Sequence, residues 1–141
     1  MNLERTPRVV TSRCKIVYKT PNWNVHQFKI ISGEVLCTVA VLKMIDSLLI
    51  WVGNLGNSQC ELNEIALGMS TNVSNGSSSR TAIATTLLGT EDIGTAMARR
   101  LSSFLKRPVY VCSGNRFDRF TTPLVEHGIM SEIKTRPEFF L

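Results

Sequence analysis

The sequence contains two long apolar runs on either side of a short polar turn. Residues 48 to 52, LLIWV, are five consecutive apolar residues, and residues 34 to 43, EVLCTVAVLK, contain one threonine between their charged ends. The intervening MIDS, residues 44 to 47, offers Asp and Ser, whose side chains hydrogen-bond their own backbone in tight turns. This pattern predicts a β-hairpin. Because a strand with one face in water alternates apolar and polar residues, these runs indicate strands that are covered on both faces.

Three further strands are predicted from shorter apolar stretches that Gly, Ser and Asn separate. They are Glu61 to Met69, Thr81 to Leu88 and Val109 to Cys112, and the polar stretch at residues 70–80 is interpreted as a loop. The first stretch fits a helical stripe as well as a strand, but Gly68 favours the strand because glycine is unfavourable inside a helix. CKIVYK, at residues 14–19, is a candidate for a short additional strand.

Two stretches have the spacing of amphipathic helices. After Gly89 the apolar residues recur at helical intervals; they are Ile93, Met97, Leu101, Phe104 and Leu105. A second stripe consists of Val125, Ile129 and Ile133. Thr122 is predicted to cap the start of this second helix, since Pro123 after it suits the first helical position. Gly128 is expected to weaken the helix.

Two helices are too few to cover both faces of the predicted sheet. Five strands at ~4.8 Å each make a sheet about 24 Å wide, and two helices ~10 Å apart cover about 20 Å of one face. A bare apolar face of several hundred Å² is rare on a monomer. We therefore predict an α+β fold: a mainly antiparallel sheet of five to six strands, with two helices packed on one face and the other face used for dimerisation. The alternative is that the N-terminal segment or the 70–80 loop folds back over that face.

The net charge of +5 is concentrated at the N-terminal end. Residues 1–19 contain five basic residues and one acidic residue, so the rest of the chain is nearly neutral. We predict a basic, poorly ordered N-terminal extension at residues 1–24 and a single domain at residues 25–141. A nucleic-acid-binding domain would carry its charge on the folded surface, so we expect no nucleic-acid partner. A tail that binds RNA or DNA and a mitochondrial transit peptide stay open as alternatives.

The residue types that usually carry catalysis or bind metals are scattered along the chain. The four cysteines form no C-x-x-C pair, and the two histidines lie far apart. No nucleotide-binding or nucleophile motif occurs, and no apolar run approaches the ~20 residues of a membrane-spanning helix. We expect no catalytic activity, no cofactor, no metal and no membrane partner, and free thiols typical of a reducing compartment. A small enzyme that uses Cys112 or His127 as nucleophile or base is the alternative.

Several segments, taken in order, resemble the proteasome assembly chaperone 4 family. They are H-x-F at 26–28, IDSLLIWVG at 45–53, ATTLLGTED at 84–92, RPVYVCSG at 107–114, PLVEHGIMSEI at 123–133 and RPEFF at 136–140. The resemblance runs from about His26 to the end of the sequence. The chain departs from the family in its serine-rich 70–80 loop, in its basic N-terminal extension and in Gly128.

The resemblance implies a non-enzymatic chaperone of 20S proteasome assembly. Members of this family pair, sheet against sheet, with proteasome assembly chaperone 3, and the heterodimer docks on α-type subunits and promotes assembly of the α-ring. The resemblance also implies a cytoplasmic protein, with the nucleus as a second location. The final Phe139-Phe140-Leu141 is similar to the hydrophobic-Tyr-X tails that insert between α subunits, although phenylalanine lacks the hydroxyl.

Alternate residues of the hairpin and of the fourth predicted strand are the candidates for the partner interface. They are Val39, Val41, Leu49, Trp51, Thr86 and Leu88. Successive side chains of a strand point to opposite faces, so an interface takes every second residue. Because both sets of alternate residues are apolar here, the opposite face stays open as the alternative.

Overall fold

Six strands, two α-helices and one 3-10 turn make up the part of the chain that the structure describes. The structure, a computed structural model, describes residues 16–33, 35–54, 62–71, 82–89, 92–114 and 120–141. The elements are β1 (Val25–Ser32), β2 (Val35–Lys43), β3 (Leu48–Asn54), β4 (Glu64–Ser70), β5 (Ala82–Leu88), α1 (Asp92–Leu105), β6 (Val109–Ser113), α2 (Thr122–Thr135) and the 3-10 turn Pro137–Phe139.

The strands form one mixed sheet in the order β1-β2-β3-β6-β4-β5. β1, β2 and β3 are an antiparallel meander, and β4 pairs antiparallel with both β5 and β6. The parallel pairing of β3 with β6, in which Leu48 lies opposite Val109, joins these two antiparallel halves at the middle of the sheet. The predicted hairpin is therefore the β2–β3 pair.

Both helices lie on the same face of the sheet, which we call the helix-covered face. α1 packs against β4, β5 and β6, and α2 packs against β1 and β2. One buried apolar cluster joins the helices to the strands; it includes Val39, Val41, Ile50, Val52 and Val111 of the sheet with Met97, Leu101, Val125 and Ile129 of the helices. The prediction of an α+β fold with two helices on one face of a mainly antiparallel sheet is confirmed.

Two glycines let the helices approach the sheet closely. A Cβ on Gly68 of β4 would lie 2.8 Å from Ser102 Oγ and closer still to the backbone carbonyl of Ala98, both on α1. A Cβ on Gly128 of α2 would lie 2.8 Å from three carbons of the Ile30 side chain on β1. Gly128 was expected only to weaken its helix, and in the structure it is a point of close contact between α2 and the first strand.

The structure differs from the sequence-based elements in three places. β1 was not predicted, because its residues VHQFKIIS mix polar and apolar side chains without a clean alternation. Residues 16–19, part of the additional strand candidate, contain neither helix nor strand and are exposed. Thr121 occupies the N-cap position of α2 without a side-chain capping hydrogen bond, so the prediction of Thr122 as the cap was wrong by one residue, since Thr122 is already the first helical residue.

The predicted domain boundary at residue 25 stays a prediction. Residues 16–24 have no regular secondary structure and precede β1 directly. Residues 1–15 of the predicted extension, and residues 72–80 of the predicted 70–80 loop, lie outside the described residues. Within the described ranges, no helix combines the length and the apolar character needed to cross a membrane.

Candidate functional site

The side of the sheet opposite the helices, which we call the open face, carries mainly apolar and uncharged side chains. The strand register places on it Gln27, Lys29, Thr38, Ala40, Leu42, Leu49, Trp51, Tyr110, Cys112, Ile65, Leu67, Met69, Ile83, Thr85 and Leu88. None of these residues belongs to the buried cluster beneath the helices. In this set the charged side chain is Lys29, on the edge strand β1, so the centre of the face is uncharged.

The open face is not covered by the described part of the N-terminal segment. Every residue from 16 to 24 is exposed, and Tyr18 and Trp23 are 94% and 68% exposed. At the far edge of the sheet, Ile83 on β5 is 60% exposed. Residues 16–24 therefore do not cover the open face, contrary to the alternative in which the N-terminal segment folds back over it.

Trp51 lies at the centre of the open face. It stands opposite Ala40 on β2 and opposite Cys112 on β6. Its indole ring lies along its own strand, because a Cβ built on Gly53 would be 2.6 Å from Cζ2 and Cζ3 of the indole and still closer to Cη2. Gly53 is buried although the face has no helix over it. The partly exposed indole therefore covers the backbone of β3 at Gly53.

The six residues predicted for the partner interface are divided between the two faces. Leu49, Trp51 and Leu88 lie on the open face; Leu88 does so because a register shift in β4 puts it opposite Ile65. The other three, Val39, Val41 and Thr86, point to the helix-covered face. The expectation that the six share a face was wrong, because a strand apolar on both sides does not reveal which set faces the helices.

The three residues on the helix-covered face are already engaged within the chain. Val39 and Val41 are completely buried in the core. The hydroxyl of Thr86 hydrogen-bonds the hydroxyl of Thr95 on α1, with 2.6 Å between the oxygens. These contacts leave Leu49, Trp51 and Leu88 as the predicted residues that a partner can reach, and their interface role stays a prediction.

Sequence reasoning missed several central residues of the open face. Tyr110 on β6 lies opposite Leu49, and both Leu67 and Ile65 continue the apolar surface onto β4. A usable signal is present in VYVC: its two valines are buried under the helices, so Tyr110 between them must point the other way. The parallel β3–β6 pairing brings Tyr110 next to the hairpin.

The residues proposed for catalysis are not arranged for it in the described part of the chain. Cys112 is buried, and burial raises the pKa of its thiol, which disfavours the reactive thiolate near neutral pH. His127 is exposed on α2. No cluster of three or more His, Cys, Asp and Glu able to hold a metal occurs within the described ranges. The Cys112 alternative therefore has no support from its surroundings.

The other histidine takes part in a structural cluster with the 137–141 segment. His26 Nε2 lies 2.8 Å from Glu132 Oε1, and the His26 ring stacks on Phe139 with 4.0 Å between ring centroids. Phe140 is completely buried. Lys43 donates hydrogen bonds to main-chain oxygens of the segment, at Glu138 and Leu141. This segment is packed onto the domain, which does not fit a tail held out for insertion between α subunits.

Arg100 on α1 has an ion-pair partner on α2. Arg100 Nε and Nη2 donate to the two carboxylate oxygens of Glu126 at 2.5 and 2.6 Å. This bidentate pair raises the pKa of Arg100. The Arg100 guanidinium therefore links the two helices within the fold.

Comparisons with known proteins are informative for both family and fold. The model of the family described as Proteasome assembly chaperone 4 matches residues 37–114, just over half of the chain. A chain from "Crystal Structure of a Novel Chaperone Complex for Yeast 20S Proteasome Assembly" has a similar fold, with a TM-score of 0.53 at 10% identity, over 77% of this chain and 97% of that chain. No curated protein matches the sequence. The family match spans β2 to β6 and so includes the centre of the open face.

Proposed function

Because the chain belongs to the proteasome assembly chaperone 4 family, we propose that it pairs with proteasome assembly chaperone 3 through its open face and docks on α-type subunits of the 20S proteasome. The family assignment and the shared fold of the yeast chaperone complex support a role in proteasome assembly. The identities of the pairing partner and of the α-type subunits are inferred from the resemblance to the family. The proposed role is non-enzymatic and located in the cytoplasm, and the nucleus is a second location.

One observation carries the pairing proposal: the open face is apolar and uncharged at its centre and has no helix over it. Leu49, Trp51, Tyr110 and Leu67 come from the three adjacent strands β3, β6 and β4, so they form one continuous surface. Depletion of charge with enrichment of tryptophan and tyrosine is typical of the core of a protein interface. A second sheet laid on this surface would make a sandwich with a core ~10 Å thick.

The size of the open face is compatible with a stable pair. Six strands at ~4.8 Å each, with about seven residues at ~3.3 Å per residue, give a rectangle of roughly 29 by 23 Å. Its projected area, roughly 650 Å², approaches the ~800 Å² per partner of a standard interface. Side-chain relief adds to the projected area, so a contact over most of the face reaches the standard size, whereas a contact over a small part of it would be weak.

Pairing through the open face leaves the helices turned outward. The outer surfaces of α1 and α2 are then available to α-type subunits, and Phe104, 48% exposed, lies on this side. In the proposed mechanism the heterodimer masks or bridges α-subunit surfaces so that the next subunit adds at its correct place. The pair then dissociates before the mature particle forms.

The test is the affinity of the purified chain for purified proteasome assembly chaperone 3. Trp51→Ala removes the aromatic residue at the centre of the face, and central aromatic residues typically contribute ~2 kcal/mol or more to binding. We expect the dissociation constant to rise at least ~30-fold by calorimetry. Phe104→Ala is the matched control, because it removes an exposed aromatic residue on the opposite side and should leave this affinity unchanged.

Two results would contradict the proposal. The first is an unchanged affinity in Trp51→Ala, which would place the interface elsewhere. The second is the absence of binding between the parent proteins at micromolar concentration. Co-purification of the chain with α-type subunits in the presence and absence of proteasome assembly chaperone 3 tests the docking step separately.

A further inference from the structure

Gly53 occupies a position on the open face where any larger residue would meet the Trp51 indole. The ring atoms Cη2, Cζ2 and Cζ3 of Trp51 surround the place where a Cβ of residue 53 would be, with 2.6 Å to the latter two. Real Cβ atoms essentially never come this close to another heavy atom, so one of the two groups must move. The obstructing atoms are the outer end of a side chain with two rotatable bonds, so the indole is the group that moves.

The residues next to Trp51 are small enough for the indole to lie flat against the sheet. Ala40 stands beside it on β2, and Cys112 stands beside it on β6. Residue 53 is two positions further along the same strand and therefore on the same face. Because Ala40, Cys112 and Gly53 are small, they leave a shallow depression in the open face, and the indole occupies it along the direction of β3. Cys112 is 7% exposed although no helix covers this face.

We propose that Gly53 is a positioning residue, which holds the Trp51 indole flat on β3 so that a partner sheet meets the face of the ring. This inference rests on the proposed function, because it concerns the same interface. A flat indole leaves the open face level enough for a second sheet at ~10 Å. An indole that stands up from the sheet would protrude by most of its length into that space and keep the partner away.

Gly53→Ala tests the position of the indole directly and without a partner. The sequence has two tryptophans, and replacing the exposed Trp23 by phenylalanine leaves Trp51 as the reporter. In this background we expect Gly53→Ala to shift the fluorescence emission to longer wavelength and to increase quenching by acrylamide, since the displaced ring gains contact with water. Unchanged emission and quenching would overturn the positioning role.

A double-mutant cycle tests whether Gly53 acts on binding through Trp51. We expect Gly53→Ala alone to weaken binding to proteasome assembly chaperone 3 about tenfold or more, and to have less than about a twofold effect when Trp51 is already alanine. Equal losses in both backgrounds would overturn the inference, because residue 53 would then act through the backbone or contact the partner itself.

A conservative replacement of the ring provides the rescue. Phenylalanine lacks the outer benzo edge of the indole, so Trp51→Phe combined with Gly53→Ala should bind as well as Trp51→Phe alone. Urea unfolding of each variant shows whether alanine at 53 lowers stability, and this rescue pair remains informative if Gly53→Ala alone unfolds. Failure of the rescue would overturn the inference.

The fluorescence measurement and the binding measurements together distinguish a failure of this inference from a failure of the proposed function on which it rests. If the parent chain does not bind proteasome assembly chaperone 3, the proposed function and the partner half of the inference both fail. The emission measurement still decides whether Gly53 controls the indole. If the parent chain binds and the emission does not change, the positioning role fails while the proposed function stands.

Discussion

Phe140→Ala is expected to remove a large part of the stability of the domain. The Phe140 ring is completely buried and lies edge-on to the rings of His26 and Phe28, with 6.4 Å between centroids in each pair. Truncating a buried phenylalanine to alanine costs ~3–5 kcal/mol, and the total stability of a domain is ~5–15 kcal/mol. We therefore expect a loss of about 4 kcal/mol, or a Tm lower by roughly 12 °C at ~3 °C per kcal/mol.

The assay is urea unfolding followed by far-UV circular dichroism. Phe120→Ala is the matched control, since Phe120 is 84% exposed and exposed substitutions usually change stability by less than ~0.5 kcal/mol. Both variants remove the same atoms, so the difference in unfolding free energy isolates the burial of residue 140.

An equal effect of the two substitutions would refute the reasoning. It would mean that the 137–141 segment is not packed in solution as the structure shows. The interpretation of Phe139-Phe140-Leu141 as a tail that inserts between α subunits would then regain support. A loss of affinity for α-type subunits without a loss of stability would point the same way.

Three further substitutions test the packing of the sheet and the burial of its cysteines. Gly68→Ala should destabilise the domain by about 1–3 kcal/mol in urea unfolding, because its Cβ would collide with the Ala98 carbonyl, and no such loss would refute the close approach of α1. Burial raises the thiol pKa of Cys37 and Cys112 from 9.0, so their stabilisation is complete below pH 9.0 and is lost as pH rises towards the folded-state pKa. Cys37→Ala and Cys112→Ala should therefore each show a smaller alkaline loss of stability than the parent, measured by urea unfolding below and above pH 9.0.

Much of the fold could be predicted from the sequence because its elements have strong local signals. The β2–β3 hairpin consists of two apolar runs around an Asp-Ser turn, and α1 has a regular stripe that includes Met97 and Leu101. β1 has neither signal. It pairs along its whole length with the adjacent β2, and its inward-facing Ile30 packs against Gly128 of α2, almost a hundred residues away along the chain, a contact that its local pattern does not reveal.

The choice of face could not be predicted from the strands for a similar reason. Val39 and Ala40 are both apolar, and only the position of α2 decides that Val39 is buried in the core and Ala40 is on the open face. The position of Leu88 depends on the register shift between Ile65 and Ala66, which lies outside the reach of alternation rules. The existence of an uncovered apolar face was predictable, because it follows from the number of helices.

The two halves of the sheet acquire their cover at different times as the chain is made. β4, β5 and β6 are covered by α1, which lies between β5 and β6 in the sequence. This half of the sheet is therefore covered as soon as it has been synthesised. The β1–β3 meander must wait for α2, which is translated after everything else in the sheet. Contacts between distant segments form slowly, so a nascent chain should pass through a stage in which the meander is apolar on both sides. During synthesis the β1–β3 meander therefore exposes apolar surface that is prone to aggregation, whereas the β4–β6 half, covered by α1, does not.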